Sequence, residues 1–481
     1  MPSGQWRDQA KHGNWPSTFG PTRSRKPALN TSPLAVIVLA AGQGTRMKSD
    51  LHKVLHPIAG RPMLLHLLAA AKALDPVKQV VVVGAGREQV EKAVTGLGVD
   101  IAVQTEQHGT GHAVRQAEAA LEGFEGDVII LYGDVPLVRA ETMQAMVDRL
   151  HGAEEPACVV LGFRPADPAA YGRILAGPDG VIARMVEYKD ASAEERAVNL
   201  CNSGLMAVRS RDLFQLLARV RNDNAAGEYY LPDIVMLAAA YGRNSVVVEV
   251  EAQEVAGVNS RVELAAVEAG WQAARRIEAM KAGVTLLAPE TVFFSYDTQL
   301  GRDVVVEQNV VFGPGVRVAD GAVIHAFSHL EGAIVGAGAT VGPFARLRPG
   351  ASLGDKAKVG NFVEIKAAAL GRGAKVSHLS YIGDATVGAE ANIGAGTITC
   401  NYDGFLKYKT EIGAGAFIGS NSALVAPVSI GDGAIVGAGS VVTRDVSGDS
   451  LVLVRPSQEE KPGWAARFRA KMAARKAERK G

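Results

Sequence analysis

The pattern of hydrophobic and polar residues divides the chain into two halves with different periods. From 34 to about 259, apolar runs alternate with helical patterns. Residues 34–39, 79–83 and 127–132 have the length and apolar content of buried strands, and 62–74 has the pattern of a helix. This alternation predicts an α/β doubly wound, Rossmann-like domain with a largely parallel sheet covered by helices.

The second half repeats one aliphatic residue nearly every six positions. The repeat is clear from Val335 to Ile393 and resumes from Ile412 to Val436. Such a period is typical of a parallel β-helix, in which each short strand buries one aliphatic side chain. The interruption at 397–411 contains the run Cys-Asn-Tyr-Asp-Gly. We expect it to be a loop outside the coil, the kind of place where function is often located.

A helix is predicted between the two halves. Ser260 and Glu263 have the spacing of a capping box, apolar residues follow at helical intervals, and Gly283 provides a stop. A chain of 481 residues is also too long for one hydrophobic core. The predicted parts are a disordered extension (1–33), an α/β domain (34–259), a linking helix (260–283), a β-helix (284–455) and a basic tail (456–481).

Composition narrows the range of partners. The net charge is +1, which gives no overall field to attract nucleic acid or a membrane surface. Apolar runs stay well short of the roughly 20 residues that span a bilayer, so we expect no integral membrane segment. The first 33 residues lack the apolar core of a secretory signal. The widely spaced Cys158, Cys201 and Cys400 fit free thiols in a reducing cytoplasm.

The loop Leu-Ala-Ala-Gly-Gln-Gly-Thr-Arg-Met at 39–47 follows the first predicted strand. Gly42 and Gly44 would let backbone N–H groups approach a phosphate, and Arg46 and Lys53 add positive charge. This equipment suits a nucleoside triphosphate. The spacing is that of neither a P-loop ATPase nor a dinucleotide dehydrogenase. The alternative for the glycines alone is an ordinary strand-to-helix turn.

Asp134, in Tyr-Gly-Asp-Val-Pro, directly follows another predicted strand at the same edge of the sheet. Mg²⁺ takes oxygen ligands and needs only one or two protein groups beside substrate phosphates, so Asp134 is a magnesium candidate. The alternative is a turn residue that bonds local amides. A second glycine-containing loop at 104–112 could read a base edge, while His108 and His112 lack a recognisable third metal ligand.

Three polar residues in the β-helix occupy positions where most repeats have a small residue. His378 could act as a general base, and Arg348 and Lys366 could bind a phosphate. Each one alone has a simpler interpretation as a solvated residue on a solenoid face.

Together these motifs resemble one family, the bacterial bifunctional N-acetylglucosamine-1-phosphate uridylyltransferase/glucosamine-1-phosphate acetyltransferases. The resemblance extends in order from about Leu34 to Trp464. It rests on the 39–47 loop, Lys53, Tyr-Gly-Asp-Val-Pro, Gly-Glu-Tyr-Tyr at 227–230, Gly-Val-Asn at 257–259, Arg-Leu-Arg-Pro-Gly in the β-helix and Thr-Cys-Asn-Tyr-Asp-Gly in the loop. It implies a left-handed β-helix and acetyl-CoA binding between the neighbouring β-helices of a homotrimer.

For the first domain, the resemblance implies Mg²⁺-dependent transfer of uridylyl from UTP to N-acetylglucosamine 1-phosphate, with release of pyrophosphate. Arg46 and Lys53 would neutralise phosphoryl oxygens, and Asp134 and Asn259 would hold Mg²⁺. Gln104 and Gly109 would contact the uracil. The remaining nucleotide and sugar contacts would be Leu39, Ala40, Ala41, Gly42, Gly44, Thr110, Tyr132, Gly133, Gly172, Glu187 and Asn202. Ser203 stands where the family commonly has Thr.

For the β-helix, the resemblance implies acetyl transfer from acetyl-CoA to glucosamine 1-phosphate. His378 would be the base, and Glu364 would orient its imidazole. Sugar-phosphate contacts would come from Arg348, Lys366, Tyr381 and Asn392, and acetyl-CoA contacts from Ala395, Asn401, Tyr402, Ser420, Ala438 and Arg455. Two alternatives are a sugar-1-phosphate nucleotidyltransferase with a structural or regulatory β-helix and, ranked last, a non-catalytic sugar-nucleotide binder.

Overall fold

The computed structural model describes residues 32–42 and 44–478. Almost all of the predicted N-terminal extension, Gln43 of the glycine loop and the last three residues lie outside this description. The chain forms two compact units. The first contains most of the residues up to Gly257, and the second contains Val258 onward together with Arg46–Lys48 and Leu55–Met63. The structure thus groups two short pieces of the predicted 34–259 domain with the β-helix.

Among the described residues before Gly257 there are eleven strands and seven α-helices. The strands are β1 Leu34–Ala40, β2 Pro57–Ile58, β3 Arg61–Pro62, β4 Lys78–Val83, β5 Asp100–Val103, β6 Asp127–Tyr132, β7 Cys158–Phe163, β8 Arg173–Ala176, β9 Ile182–Val186, β10 Cys201–Arg209 and β11 Val246–Val250. The helices are α1 Met63–Lys72, α2 Arg87–Val94, α3 Thr110–Arg115, α4 Ala140–Leu150, α5 Ala193–Arg196, α6 Ser210–Leu217 and α7 Asp233–Ala240.

The main sheet of the first unit has the strand order β11-β7-β10-β6-β1-β4-β5. Strands β6, β1, β4 and β5 are parallel neighbours, which gives the doubly wound arrangement predicted from the sequence. The order reverses between β1 and β6, and ligands of such sheets bind outside the carboxyl ends of the strands at this reversal. Strand β10 differs from a fully parallel sheet because it runs antiparallel to β6 and β7.

The second unit begins with α8, Arg261–Lys281. The hydroxyl of Ser260 accepts a hydrogen bond from the Glu263 backbone N–H at 3.3 Å, as the sequence predicts. The Glu263 carboxylate, however, accepts from the backbone N–H of Asn259 at 2.7 Å, one residue before the N-cap. The cap is therefore a shifted variant of the predicted box. The β2–β3 hairpin belongs to this unit. The N–H of Ala59 in the hairpin donates a hydrogen bond to the Glu268 carboxylate of α8.

The β-helix consists of three parallel sheets. Face 1 contains Thr285–Leu286, Val305–Val306, Val323–Ile324, Thr340–Val341, Lys358–Asn361, Lys375–His378, Asn392–Ile393, Phe417–Ile418, Ile435–Val436 and Leu451–Val452. Face 2 contains Val311–Phe312, His329–Leu330, Arg346–Leu347, Glu364–Lys366, Tyr381–Gly383, Ile398–Cys400, Ala423–Val425 and Val441–Val442. Face 3 contains Gln299–Leu300, Arg317–Val318, Ile334–Val335, Ser352–Leu353, Ala369–Leu370, Ala385–Val387, Thr410–Ile412 and Val428–Ile430.

The inside of the coil is filled by the aliphatic residues that the hexapeptide pattern identifies. Val341, Val359, Val376 and Ile393 stack through successive coils of face 1 and are buried. The coil continues to Cys400 and restarts at Thr410, so the excursion loop is 401–409, shorter than predicted. The predicted fold class, a Rossmann-like domain followed by a β-helix of hexapeptide repeats, is confirmed.

A helix closes the described part of the chain. Helix α9, Trp464–Glu478, lies in the predicted basic tail and has no buried residue. Its Trp464 and Phe468 rings stack on each other at 5.1 Å. Within residues 32–42 and 44–478, no helix is both long and apolar enough to cross a bilayer.

Candidate functional site

A cavity of about 360 Å³ opens at the carboxyl ends of β1 and β6. It lies where the strand order of the sheet reverses, the expected place for a ligand. Ten of the predicted nucleotide-site residues line it: Leu39, Ala40, Ala41, Gly42, Lys53, Gln104, Gly109, Thr110, Tyr132 and Asp134. Residues that are far apart in sequence thus form one pocket.

Lys53 and Asp134 meet in this cavity. The Lys53 Nζ lies 2.5 Å from the Asp134 Oδ2, and both side chains are largely enclosed. The ammonium group balances a carboxylate whose hard oxygen atoms suit Mg²⁺. Among the described residues, no group of three or more aspartate, glutamate, histidine or cysteine side chains is arranged to hold a metal ion. A magnesium ion at Asp134 would have few protein ligands and would need substrate phosphates to complete its coordination.

The backbone conformation and close packing at position 44 favour glycine. Its φ of +63° lies in the left-handed region, and a Cβ atom there would lie 2.5 Å from the Lys53 Cβ. Any larger residue would therefore displace Lys53. Gly133 has a different role, because its N–H bonds to the Leu39 carbonyl at 2.9 Å and continues the pairing of β1 with β6.

The loop proposed to read the base is fixed by the Gly-Glu-Tyr-Tyr segment. The Tyr229 N–H bonds to the His108 carbonyl, and the Gly111 N–H bonds to the Tyr229 carbonyl, both at 2.8 Å. A Cβ on Gly109 would lie 2.7 Å from that Tyr229 carbonyl. The buried Gln104 amide donates to the Gly109 carbonyl at 3.2 Å. These contacts explain why the Gly-Glu-Tyr-Tyr motif accompanies the loop.

The Tyr132 hydroxyl is kept protonated by its surroundings. Burial raises the pKa of Tyr132, and the Thr110 side chain hydrogen-bonds to its hydroxyl. A side chain at Gly204 would lie 2.7 Å from the Tyr132 ring. The packing therefore holds a neutral phenol at the wall of the cavity, where it can donate a hydrogen bond but adds no negative charge.

The three predicted sugar contacts lie together around β8, β9 and β10. A Cβ on Gly172 would lie 3.1 Å from a carboxylate oxygen of Glu187. The Asn202 N–H bonds to the Gly172 carbonyl, and the Asn202 Oδ1 accepts from the Gly204 N–H at 2.8 Å. Burial, followed by the charge of Asp233, raises the pKa of Glu187.

The hydroxyl of Ser203 donates a hydrogen bond to the Leu161 carbonyl at 2.6 Å and thereby links strand β10 to strand β7.

Asp233 gives the first unit a pH-dependent stability. Burial, followed by Asp190 and Asp223, raises its pKa to about 6. The folded state thus binds this proton more tightly than the unfolded state, so stability falls as pH rises from about 4 to 6. Asp233→Asn should stabilise the protein at pH 8 by about 1 kcal/mol, allowing for partial exposure, and less at pH 4.5. Thermal unfolding at both pH values measures this; an equal gain at both would contradict it.

Two predicted residues of the nucleotide site belong to the second unit. Arg46 lies in the short 3-10 helix Thr45–Met47. Asn259 lies just before α8, where Glu263 binds its backbone N–H. Their proposed roles remain those that the family resemblance implies.

The β-helix presents the predicted phosphate-binding cations on face 2. Arg348 and Lys366 flank the paired residues Leu347 and Ile365 in adjacent coils. The Arg348 guanidinium donates to Glu364 at 2.8 Å. The Lys366 Nζ lies 3.3 Å from the Asp384 Oδ2. The two cations are therefore held side by side by carboxylates.

Lys407, in the excursion loop, is a further cation beside these two, and no sequence motif points to it. Its amine lies close to that of Lys366, and this contact raises the pKa of Lys366 and lowers that of Lys407. The loop is braced by Asn401, whose amide donates to the Asp384 Oδ2 at 2.5 Å. Adjacent amines create a strong local field for an anion. A bridge between Tyr402 and Lys407 closes the loop.

His378 lies at the corner between faces 1 and 2 and is exposed. Its Nδ1 lies 2.6 Å from the Asn361 Oδ1. The family resemblance gives Glu364 the task of orienting this imidazole. In the structure, Asn361 is the partner of Nδ1, and Glu364 is bonded to Arg348.

Four of the six residues implied for acetyl-CoA, Ala395, Ser420, Ala438 and Arg455, form a ladder that continues from His378. The His378 carbonyl accepts from the N–H after Ala395, and the Ala395 carbonyl accepts from the N–H after Ser420. The Ser420 carbonyl accepts from the N–H after Ala438. Arg455 then donates to the Ala438 carbonyl at 2.6 Å. One corner of the coil thus aligns the candidate base with these positions along the axis of the β-helix.

The remaining two sugar-phosphate candidates lie on different faces. Tyr381 is on face 2, in the same row as Glu364. Asn392 is on face 1, in the same row as Lys375.

Comparison with known proteins accounts for both units. Residues 36–228 match the MobA-like NTP transferase domain family, and 409–444 match the bacterial transferase hexapeptide family. The chain is 67% identical over 446 residues to Bifunctional protein GlmU of Sphingopyxis alaskensis, covering 93% of this chain and 98% of that one. It is 69% identical over 448 residues to the protein of the same name from Rhizorhabdus wittichii, and the match covers 93% of this chain and 99% of that protein. The protein of the same name from Zymomonas mobilis is 58% identical over 439 residues, and the match covers 91% of this chain and 98% of that protein.

These identities extend across both units and cover nearly the whole of each relative. The family predicted from the sequence motifs is confirmed. The chain therefore belongs to the GlmU family of bifunctional enzymes.

Proposed function

We propose that the chain makes UDP-N-acetylglucosamine in two steps, acetyl transfer on the β-helix followed by uridylyl transfer in the cavity of the first unit. The observation that carries this proposal is the ladder from His378 through Ala395, Ser420 and Ala438 to Arg455. A β-helix with a purely structural role would not need a base, an arginine and a cluster of cations at adjacent positions. The structural β-helix is therefore not favoured.

In the first reaction, the amine of glucosamine 1-phosphate attacks the thioester carbonyl of acetyl-CoA. His378 takes the proton that the amine loses, a C–N bond forms, and the C–S bond breaks to release CoA. Arg348, Lys366 and Lys407 would bind the sugar phosphate. The product is N-acetylglucosamine 1-phosphate, the substrate of the second reaction.

In the second reaction, a phosphate oxygen of N-acetylglucosamine 1-phosphate attacks the α-phosphorus of UTP, and pyrophosphate leaves. This chemistry depends on position and charge neutralisation, without a covalent enzyme intermediate. Lys53 and Arg46 would neutralise phosphoryl oxygens while Gln104 and Gly109 hold the uracil. Mg²⁺, held by oxygen atoms of Asp134 and Asn259, would supply further positive charge to the phosphates.

A homotrimer is part of the proposal. Phe327, Phe344 and Phe362 form a ladder of exposed, stacked rings at one corner of the β-helix, with centroids 4.9 and 5.1 Å apart. Exposed apolar rows of this kind favour contact with another protein surface. Asn392 lies on a different face from Tyr381, so neighbouring copies could complete one sugar-phosphate site.

The net charge of +1 and the three free thiols fit a cytoplasmic protein that binds no nucleic acid.

Lys407→Ala tests the sugar-phosphate site. Loss of one of the adjacent cations should raise KM for glucosamine 1-phosphate about tenfold and change kcat much less. Initial acetyl-transfer rates over a range of glucosamine 1-phosphate concentrations measure this effect. Lys356→Ala is a matched control, because Lys356 is exposed at a different corner of the coil. An unchanged KM in Lys407→Ala would remove Lys407 from the site.

The proposed function is tested by supplying glucosamine 1-phosphate, acetyl-CoA, UTP and Mg²⁺ to the purified chain. Free CoA thiol and pyrophosphate are measured separately. Release of thiol, with pyrophosphate only when acetyl-CoA is present, is the expected result. Pyrophosphate from supplied N-acetylglucosamine 1-phosphate without any thiol release would indicate a uridylyltransferase with a structural β-helix.

A further inference from the structure

We propose that Asn361 is the positioning residue that prepares His378 to act as a base. This inference rests on the acetyl transfer proposed above. Asn361 and His378 occupy paired positions on adjacent strands of face 1, and the N–H after His378 bonds to the Asn361 carbonyl at 3.1 Å. The imidazole Nδ1 lies 2.6 Å from the side-chain oxygen of Asn361. Asn361 therefore holds this corner twice, through its carbonyl to the Leu379 N–H and through its side chain to the His378 ring.

The hydrogen bond selects the tautomer of the neutral ring. An amide oxygen can only accept, so the Nδ1 of neutral His378 must carry its proton. The other nitrogen, Nε2, then has the lone pair that can remove a proton from the substrate amine. A ring with the opposite tautomer would present an N–H to the amine and could not act as a base. Asn361 thus selects the reactive form and limits rotation of the ring.

Glu364 has a different partner and, we infer, a different task. Its Oε1 accepts from Arg348 at 2.8 Å, and its Oε2 lies 4.0 Å from Arg346. The carboxylate is therefore engaged with guanidinium groups on face 2. It positions Arg348 for the sugar phosphate, while the neutral Asn361 positions the imidazole.

The neighbouring coils show how local this arrangement is. The positions equivalent to Asn361 and His378 along the same corner are Gln308, Ala326, Pro343, Ala395, Ser420 and Ala438. Asn361 and His378 are 17 residues apart, the length of one coil. At this corner the amide at 361 is followed one coil later by the imidazole at 378, whereas Gln308 is followed by Ala326.

The test compares acetyl-transfer kinetics of Asn361→Leu and Asn361→Asp in the full-length enzyme. Asn361→Leu keeps the approximate volume but has no acceptor, and kcat should fall about 10- to 100-fold with both KM values nearly unchanged. Asn361→Asp keeps an oxygen at the same position and should retain most of the activity. Gln308→Leu makes the same change at the same corner three coils away, and its kinetics should match the wild type. Glu364→Gln should instead raise KM for glucosamine 1-phosphate.

Nitrogen-15 NMR of histidine-labelled enzyme gives an independent reading of the tautomer. The His378 signal is identified by its loss in His378→Gln. We expect protonated Nδ1 in the wild type and in Asn361→Asp, and a shift toward protonated Nε2 in Asn361→Leu. An unchanged tautomer and kcat in Asn361→Leu, with His378→Gln inactive, would overturn the positioning role alone. Full acetyl transfer in His378→Gln would instead overturn the base assigned under the proposed function.

Discussion

His378→Ala should lose acetyl transfer by about a hundredfold to ten-thousandfold, the usual contribution of a general base. Uridylyl transfer from supplied N-acetylglucosamine 1-phosphate should continue at the wild-type rate. The physical reason is that His378 is an exposed corner residue of the β-helix and packs into no hydrophobic core. Its removal should therefore affect the chemistry without destabilising either unit. Thiol release and pyrophosphate release, measured on the same preparation, give the two rates.

Matched variants separate the base from the rest of the corner. Leu379 follows His378, is 63% exposed and carries no titratable group. Leu379→Ala should thus leave proton transfer intact. Equal loss of both reactions in His378→Ala would contradict the assignment of the two reactions to separate sites.

Asp134→Ala should have the opposite effect, with uridylyl transfer reduced at least about 100-fold and acetyl transfer unchanged. Asp134 follows β6, lines the cavity beside Lys53 and is the carboxylate that would hold Mg²⁺ in the proposed mechanism. Its loss removes negative charge where the metal would bind, and preorganised charge of this kind typically contributes 10²- to 10³-fold to a rate. Pyrophosphate release over a range of Mg²⁺ concentrations measures the effect.

Asp134→Asn distinguishes charge from shape. It keeps the size of the side chain and an oxygen that can accept from Lys53, but it removes the charge. We expect its activity to be strongly reduced and to recover in part at high Mg²⁺. Full activity at low Mg²⁺ would show that the Asp134 charge is not needed for metal binding.

The sequence predicts those parts of the fold in which one regular spacing of apolar residues extends over many positions. Strand β6 begins and ends at the predicted residues, and the aliphatic residues of the repeat fill the coil as expected. The antiparallel direction of β10 was not predicted, because a buried strand has the same apolar pattern in either direction. The grouping of Leu55–Met63 with the β-helix was also not foreseen. Tertiary hydrogen bonds such as the one from Ala59 to Glu268 leave no local pattern.

The sequence predicts site residues in motifs that directly follow strands. It does not predict residues whose role depends on a contact with a side chain in the next coil. Ten predicted residues line the nucleotide cavity, because the carboxyl ends of parallel strands meet at one edge. Asn361 and Lys407 were missed, since their roles depend on contacts with His378 and Lys366 across the coil. Counting one coil length from each candidate residue would have identified Asn361.

The most direct test of two separate sites is a mixing experiment. His378→Ala and Asp134→Ala enzymes are incubated alone and together with glucosamine 1-phosphate, acetyl-CoA, UTP and Mg²⁺, and UDP-N-acetylglucosamine is measured. Each variant alone should form almost none, and the mixture should form it readily, because Asp134→Ala makes the acetylated intermediate and His378→Ala consumes it. A mixture that forms no product, although each variant retains its own remaining reaction, would contradict the account.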